Sequence, residues 1–74
     1  MEEITIDNRV KLARVEVGLT QQELAERAGV TRQTIGLIES GRYNPTLKLC
    51  LILAHITGKG LDELFWIKGV SNNG

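Results

Sequence analysis

The chain has 74 residues, with nine lysines and arginines against nine aspartates and glutamates, and is 42% apolar and 24% charged. A packed domain takes roughly 100–200 residues, so residues 1–74 are expected to form one domain and no more. The ordinary composition excludes wholesale disorder, and no apolar run approaches the ~18 residues of a membrane span.

Ile4-Thr5-Ile6 alternates apolar and polar and predicts a short strand. Asp7 or Asn8 is expected to cap a first helix to about Val17, with Val10, Ala13 and Val17 at helical spacing and Gly18 as its stop. Thr20-Gln21-Gln22-Glu23 is a capping box: the Thr20 hydroxyl accepts from the N–H of Glu23, whose carboxylate accepts from the N–H of Thr20. The helix it opens runs to Arg27 or Ala28 and buries Leu24, Ala25 and Ala28, and Gly29 ends it.

Thr31 caps a third helix through Glu39 or Ser40, with Gly41 at its end. Asn44-Pro45 is a loop signal, because the residue before a proline is pushed out of helical space. Thr46 caps a fourth helix from Leu47 to about Ile56, stopped by Gly58 and Gly60, and a short fifth spans roughly Leu61 to Phe65. Trp66-Ile67-Lys68-Gly69-Val70 predicts a second strand, and Ser71-Asn72-Asn73-Gly74 a frayed tail. Leu24, Ile35, Ile38, Leu47, Leu51, Leu61 and Leu64 are the expected core, with Cys50 a small buried apolar residue.

Charge is neutral in sum but polarised along the chain. Residues 1–7 carry Glu2, Glu3 and Asp7 with no base, whereas residues 27–48 carry Arg27, Arg32, Arg42 and Lys48 against Glu39 alone. Such a domain can turn one positive face to an anion. Between the second and third helices only Ala28-Gly29-Val30-Thr31 is available, so the two must cross steeply, the helix-turn-helix arrangement at about residues 20–40. Ala25 is small at that crossing, and Gly29 supplies a backbone angle that other residues enter at a cost of about 1 kcal/mol or more.

Leu19-Thr20-Gln21-Gln22-Glu23-Leu24-Ala25, Gly29-Val30-Thr31-Arg32-Gln33-Thr34-Ile35 and Ile38-Glu39-Ser40-Gly41-Arg42-Tyr43-Asn44-Pro45 together resemble the Xre family of phage-repressor and Cro-like DNA-binding proteins. The resemblance covers about Asn8 to Phe65 and is closest to small stand-alone regulators, some of which add terminal strands and dimerise. It implies an all-α, five-helix, lambda-repressor-like DNA-binding domain, its termini free to form a short two-stranded β-ribbon. It also implies double-stranded DNA as partner, read in the major groove.

On the third helix, 100° per residue sets Arg32, Gln33, Gly36 and Leu37 on one side and Ile35 and Ile38 on the other. Arginine can bond guanine O6 and N7 together and glutamine adenine N6 and N7, each good pair worth roughly 1–3 kcal/mol of discrimination. Arg32 and Gln33 are therefore the expected base readers, Gly36 allows a close approach, and Leu37 is placed to meet a methyl. Thr31 and Thr34 can reach a phosphate or a thymine methyl, Thr31 being the expected base contact and Thr34 the backbone one. A backbone grip is expected from Thr20, Gln21 and Gln22 at the start of the second helix, whose N–H groups suit an anion. Arg42, Tyr43 and Asn44 match the family's second clamp, and Arg14 and Glu39 match positions that often pair internally.

Against these stand plainer readings. Glu23 is a cap and not a catalytic acid, and Arg32 and Gln33 could be a solvated face. Cys50 and His55 lie about 140° apart round a helix and share no metal without further ligands. No nucleophile–base pair, carboxylate pair or phosphate-cradling loop is found, so neither an enzyme nor a cofactor is expected. The acidic opening Met1-Glu2-Glu3 is the reverse of a signal peptide, and one cysteine allows no internal disulfide. The expected location is the cytoplasm.

A second copy is also expected. A chain this short buries only about 60–65% of its unfolded surface, and small readers of this kind bind palindromes as dimers with reading helices ~34 Å apart. Leu12, Val15 and Ile52 stand where relatives commonly carry charge. Ile4 and Ile6 could pair with Trp66–Val70 within one chain or across the dimer, so Ile4, Ile6, Ile52, Phe65, Trp66, Ile67 and Val70 are the candidate interface. The resulting expectation is a homodimeric repressor that occludes a promoter and needs no small-molecule effector. The alternative is an antitoxin or helical adaptor that uses the same apolar positions to hold a protein.

Overall fold

Local start and stop signals decide most of the helix bounds. The computed structural model, which describes residues 2–72, has a strand β1 (Glu2–Asn8), helices α1 (Val10–Glu16), α2 (Gln21–Ala28), α3 (Arg32–Glu39), α4 (Leu47–Thr57) and α5 (Leu61–Leu64), and a strand β2 (Phe65–Asn72). Thr20 accepts from the Glu23 N–H at 3.0 Å while the Glu23 carboxylate accepts from the Thr20 N–H at 3.0 Å. The Thr20 N–H and then its hydroxyl hold the Glu23 carboxyl below its ordinary value. This cap is therefore complete at neutral pH and is lost as pH falls through the carboxylate range. Thr31 and Thr46 cap α3 and α4, accepting from Thr34 and Leu49 N–H groups at 3.2 Å each.

The first helix departs from expectation. Its N-cap is Arg9, without a side-chain cap, because Asp7 and Asn8 are held in the extended β1 ladder. Asn8 still contributes, its Oδ1 accepting the Val10 N–H at 3.1 Å. The turn after α2 is as predicted: Gly29 has φ 74° and ψ 29°, the Val30 N–H reaches the Ala25 carbonyl at 3.0 Å, and Val30 packs on the core. With the Gly29 N–H on the Glu26 carbonyl at 3.3 Å, this is a Schellman closure. A Cβ at Gly29 would meet nothing within 4 Å, so a substitution there is opposed by backbone strain alone. Gly29→Val should cost at least about 1–2 kcal/mol and lower the melting temperature by roughly 4–16 °C. An unchanged melt would overturn the role given to this turn.

One core joins all five helices: Val10 and Ala13, Leu24 and Ala25, Ile35 and Ile38, Leu49, Leu53 and Ala54, and Leu64. Here the structure corrects the sequence reading on α4. Leu47 is 67% and Leu51 50% exposed, Leu61 and Cys50 are half-buried, and Leu49, Leu53 and Ala54 face inward instead. The reason is that α4, LKLCLILAHIT, is apolar on nearly every side, so helical periodicity selects no face. Thr57 closes that inner face, its hydroxyl donating to the Leu53 carbonyl at 2.8 Å.

The five helices are as expected, and the terminal β-ribbon is present but longer than expected. β1 has seven residues and β2 eight, pairing antiparallel within the chain from Glu2↔Asn72 to Asn8↔Phe65. Phe65, expected to end α5, already has extended backbone and starts β2. Ser71, expected to fray, pairs with Glu3, whereas Asn73 and Gly74 lie outside the described residues. The register shifts between Thr5 and Ile6, which pair with Gly69 and Ile67, so Lys68 is an extra residue in β2. At the ribbon's root the Arg9 N–H donates to the Leu64 carbonyl at 2.9 Å, and the Arg9 guanidinium sits 5.0 Å over the Trp66 ring.

Candidate nucleic-acid interface

Burial of Ile35 and Ile38 fixes the rotation of α3 and turns Arg32 and Gln33 outward, both exposed. Gly36 and Leu37 lie on the same outer strip, half-buried. These four, with Gln21, Ser40 and Arg42, line a shallow groove of about 390 Å³. It combines two guanidiniums, carboxamides, an apolar patch and a bare backbone, donors and contacts suited to base edges. A Cβ on Gly36 would meet only Gln21 Nε2 at 3.9 Å, an ordinary contact, so the chain's own packing does not demand glycine there.

The other expected contact residues are arranged around this strip. Thr31 is exposed and Thr34 half-buried, their hydroxyls 3.0 Å apart at the start of α3. Thr20 and Gln22 are exposed at the start of α2, Gln22 Nε2 donating to Glu26 at 3.0 Å. Arg42, Tyr43 and Asn44 are exposed in the loop after α3, with the Arg42 N–H bonded to the Leu37 carbonyl at 2.9 Å. Gln21 differs from its neighbours, because its Nε2 donates to Glu39 Oε1 at 3.0 Å and its amide is engaged inside the domain.

That bond belongs to a buried network beneath the groove. Arg14 Nε and Nη2 donate to the two Glu39 oxygens at 2.8 and 3.3 Å, and Arg14 Nη1 donates to the Leu19 carbonyl at 2.8 Å. A single carboxylate thus ties the end of α3 to α1 and to the start of α2. Asn8 adds a clasp from the other side, its Nδ2 donating to the Ile38 carbonyl at 2.9 Å. Two features escaped the sequence reading. Ser40 continues the outer strip of α3 four residues after Gly36, which helical spacing could have shown. The Gln21 tie had no sequence signal, since it depends on how α2 and α3 meet.

The model of the helix-turn-helix family matches residues 10–64. An uncharacterized HTH-type transcriptional regulator of Methanothermobacter thermautotrophicus is 60% identical over 53 residues, 70% of this chain and 77% of the relative. The chain belongs to the Xre/Cro-like helix-turn-helix family. Another member, the uncharacterized HTH-type transcriptional regulator YgzD of Bacillus subtilis, is 39% identical over 61 residues, covering 82% of this chain and 92% of its own. Among solved structures, the restriction-modification controller protein C.AhdI of Aeromonas hydrophila superposes with a TM-score of 0.68 at 31% identity, over 73% of this chain and 82% of that one. The chain is thus a DNA-binding helix-turn-helix regulator and not an enzyme. In such a domain α3 is the reading helix and α2 the one that crosses the backbone. Among the described residues no helix is long and apolar enough to cross a membrane.

Proposed function

We propose that residues 1–74 act as one domain, a cytoplasmic repressor that reads a palindromic operator as a homodimer. The observation that carries this is the outer strip of α3, where Arg32, Gln33, Gly36 and Leu37 share one groove while the same helix is anchored by Ile35, Ile38 and Glu39. In this reading Arg32 and Gln33 bond base edges, Leu37 meets a methyl, Thr31 approaches a base beside them, and Gly36 permits close contact. Thr20, Gln22, Thr34, Arg42, Tyr43 and Asn44 hold phosphates on either side, and Gln21, whose side-chain amide is tied to Glu39, does so through its backbone N–H at the start of α2. A domain seated this way excludes polymerase from the same stretch of DNA, and occlusion alone represses.

Half-site recognition then needs a second copy, with reading helices ~34 Å apart. Ile4, Ile6, Ile67 and Val70 stand exposed on the ribbon and Ile52 half-buried on α4. Phe65 and Trp66 have less to offer a partner, because Phe65 packs on the core and Trp66 lies under Arg9. The antitoxin or adaptor reading draws on the same ribbon positions and on the exposed Leu12 and Val15.

Selection from random duplex DNA, followed by variants on the selected site, tests the proposal. Arg32→Ala and Gln33→Ala should each relax preference at particular bases by about 1–3 kcal/mol. Arg42→Ala should weaken all sequences alike and flatten the salt dependence by about one unit. If all three bound as the parent does, DNA reading by this face would be excluded and the adaptor reading preferred.

A further inference from the structure

We propose that the homodimer closes by reciprocal exchange, the ribbon of each copy lying in the groove beside α4 of the other. This rests on the homodimer reading above.

The ribbon has one apolar face. Ile4 pairs with Val70 and Ile6 with Ile67, so all four side chains share a side. The extra residue Lys68 makes this possible, since positions three apart in a regular strand would face opposite ways. The four are 41–58% exposed, and Glu2, two residues before Ile4, lies on their side of the ribbon. β1 carries Glu2, Glu3 and Asp7 and no base.

The groove is its counterpart. It is an open surface depression of about 550 Å³ against Leu47, Leu51, Ile52 and Ile56, flanked by Arg27, Lys48 and His55, and among the described residues neither a carboxylate nor a ribbon residue lines it. A ribbon whose apolar face carries the carboxylate of Glu2 therefore meets an apolar groove flanked by bases. Packing α4 on α4 would set Arg27 and Lys48 on both sides of one contact, and packing ribbon face on ribbon face would do the same with Glu2. Of these three arrangements only the exchange opposes unlike charges, and like-charge contacts disfavour a partner. It also engages the ribbon and α4 patches of every copy, eight large side chains per copy, toward the ~800 Å² per partner of a standard interface, and leaves the exposed Leu12 and Val15 of α1 outside the contact. Because the contact is mutual, a two-fold axis closes it at two copies. The groove shares no lining residue with the one beside α3, so the reading face stays open.

Complementation between two variants tests the exchange by analytical ultracentrifugation at micromolar concentration. Ile4→Asp spoils the ribbon and Leu51→Asp the groove, and both positions are exposed, so each variant should keep the parental circular-dichroism spectrum and lose only the part of its melting temperature that dimerisation supplies. Each alone should raise the dimer Kd by about 30-fold or more. An equimolar mixture should recover dimers, weaker than the parent's, because one intact ribbon faces one intact groove. A second pair guards against local misfolding: Glu2→Lys and Lys48→Glu should each weaken the dimer and, combined in one chain, restore it. A parental dimer with no recovery in the mixture overturns the exchange but not the dimer. Dimers of Ile4→Asp alone would show α4 on α4, and dimers of Leu51→Asp alone ribbon on ribbon, either of which overturns it. A monomeric parent removes the homodimer reading and the exchange together, leaving base reading by α3 untouched.

Discussion

Glu39→Ala is expected to lower the melting temperature by roughly 12–40 °C. Arg14 and Glu39 side chains are only 11% and 5% exposed, and removing the carboxylate leaves the guanidinium buried with just the Leu19 carbonyl as partner. Breaking a buried pair on one side costs about 3–5 kcal/mol. A domain of this length has a total stability of only about 4–11 kcal/mol, so much of the protein would be unfolded at growth temperature. Gln21 loses its acceptor as well, which loosens the start of α2. Glu39→Gln keeps an oxygen for Arg14 and should lose less. Arg14→Met with Glu39→Leu, which leaves no charge stranded, should recover most of the loss. Thermal melting followed by circular dichroism checks the series, and a drop of under ~1 kcal/mol for Glu39→Ala would show that water reaches Arg14.

Ile35→Ala should cost about 2–5 kcal/mol in urea unfolding with the denaturant slope unchanged, and Ile35→Val only about 0.5–1.5 kcal/mol. Ile35 is fully buried where α3 meets the rest of the core, so truncation leaves a cavity that the fixed helix starts prevent from collapsing. The side chain points away from the Arg32–Gln33 strip. Affinity for DNA per folded molecule should therefore stay near parental while the folded fraction falls. A change in base preference at equal folding would mean that the cavity rotates α3.

The helix-turn-helix was legible because its signals are local and agree with one another. Thr20 with Glu23, Gly29, Thr31 and the buried positions of α2 and α3 each fix a cap, a turn or a face within four residues. The outer strip of α3 follows from the same rotation, so Arg32, Gln33, Gly36 and Leu37 fell together as expected. Legibility failed where selection of a face needs tertiary information. The apolar sequence of α4 left Leu47 and Leu51 indistinguishable from Leu49 and Leu53. The ribbon failed differently: Glu2, Glu3 and Ser71 carry little strand signal of their own and are extended because they pair across the chain.

Asn8 stands where the two halves of this molecule meet. It is the last residue of β1, yet its amide holds the Ile38 carbonyl within the final turn of α3. The ribbon's base and the last turn of α3 are thus pinned by one side chain, so the terminal hairpin and that helix cannot shift independently without breaking this bond.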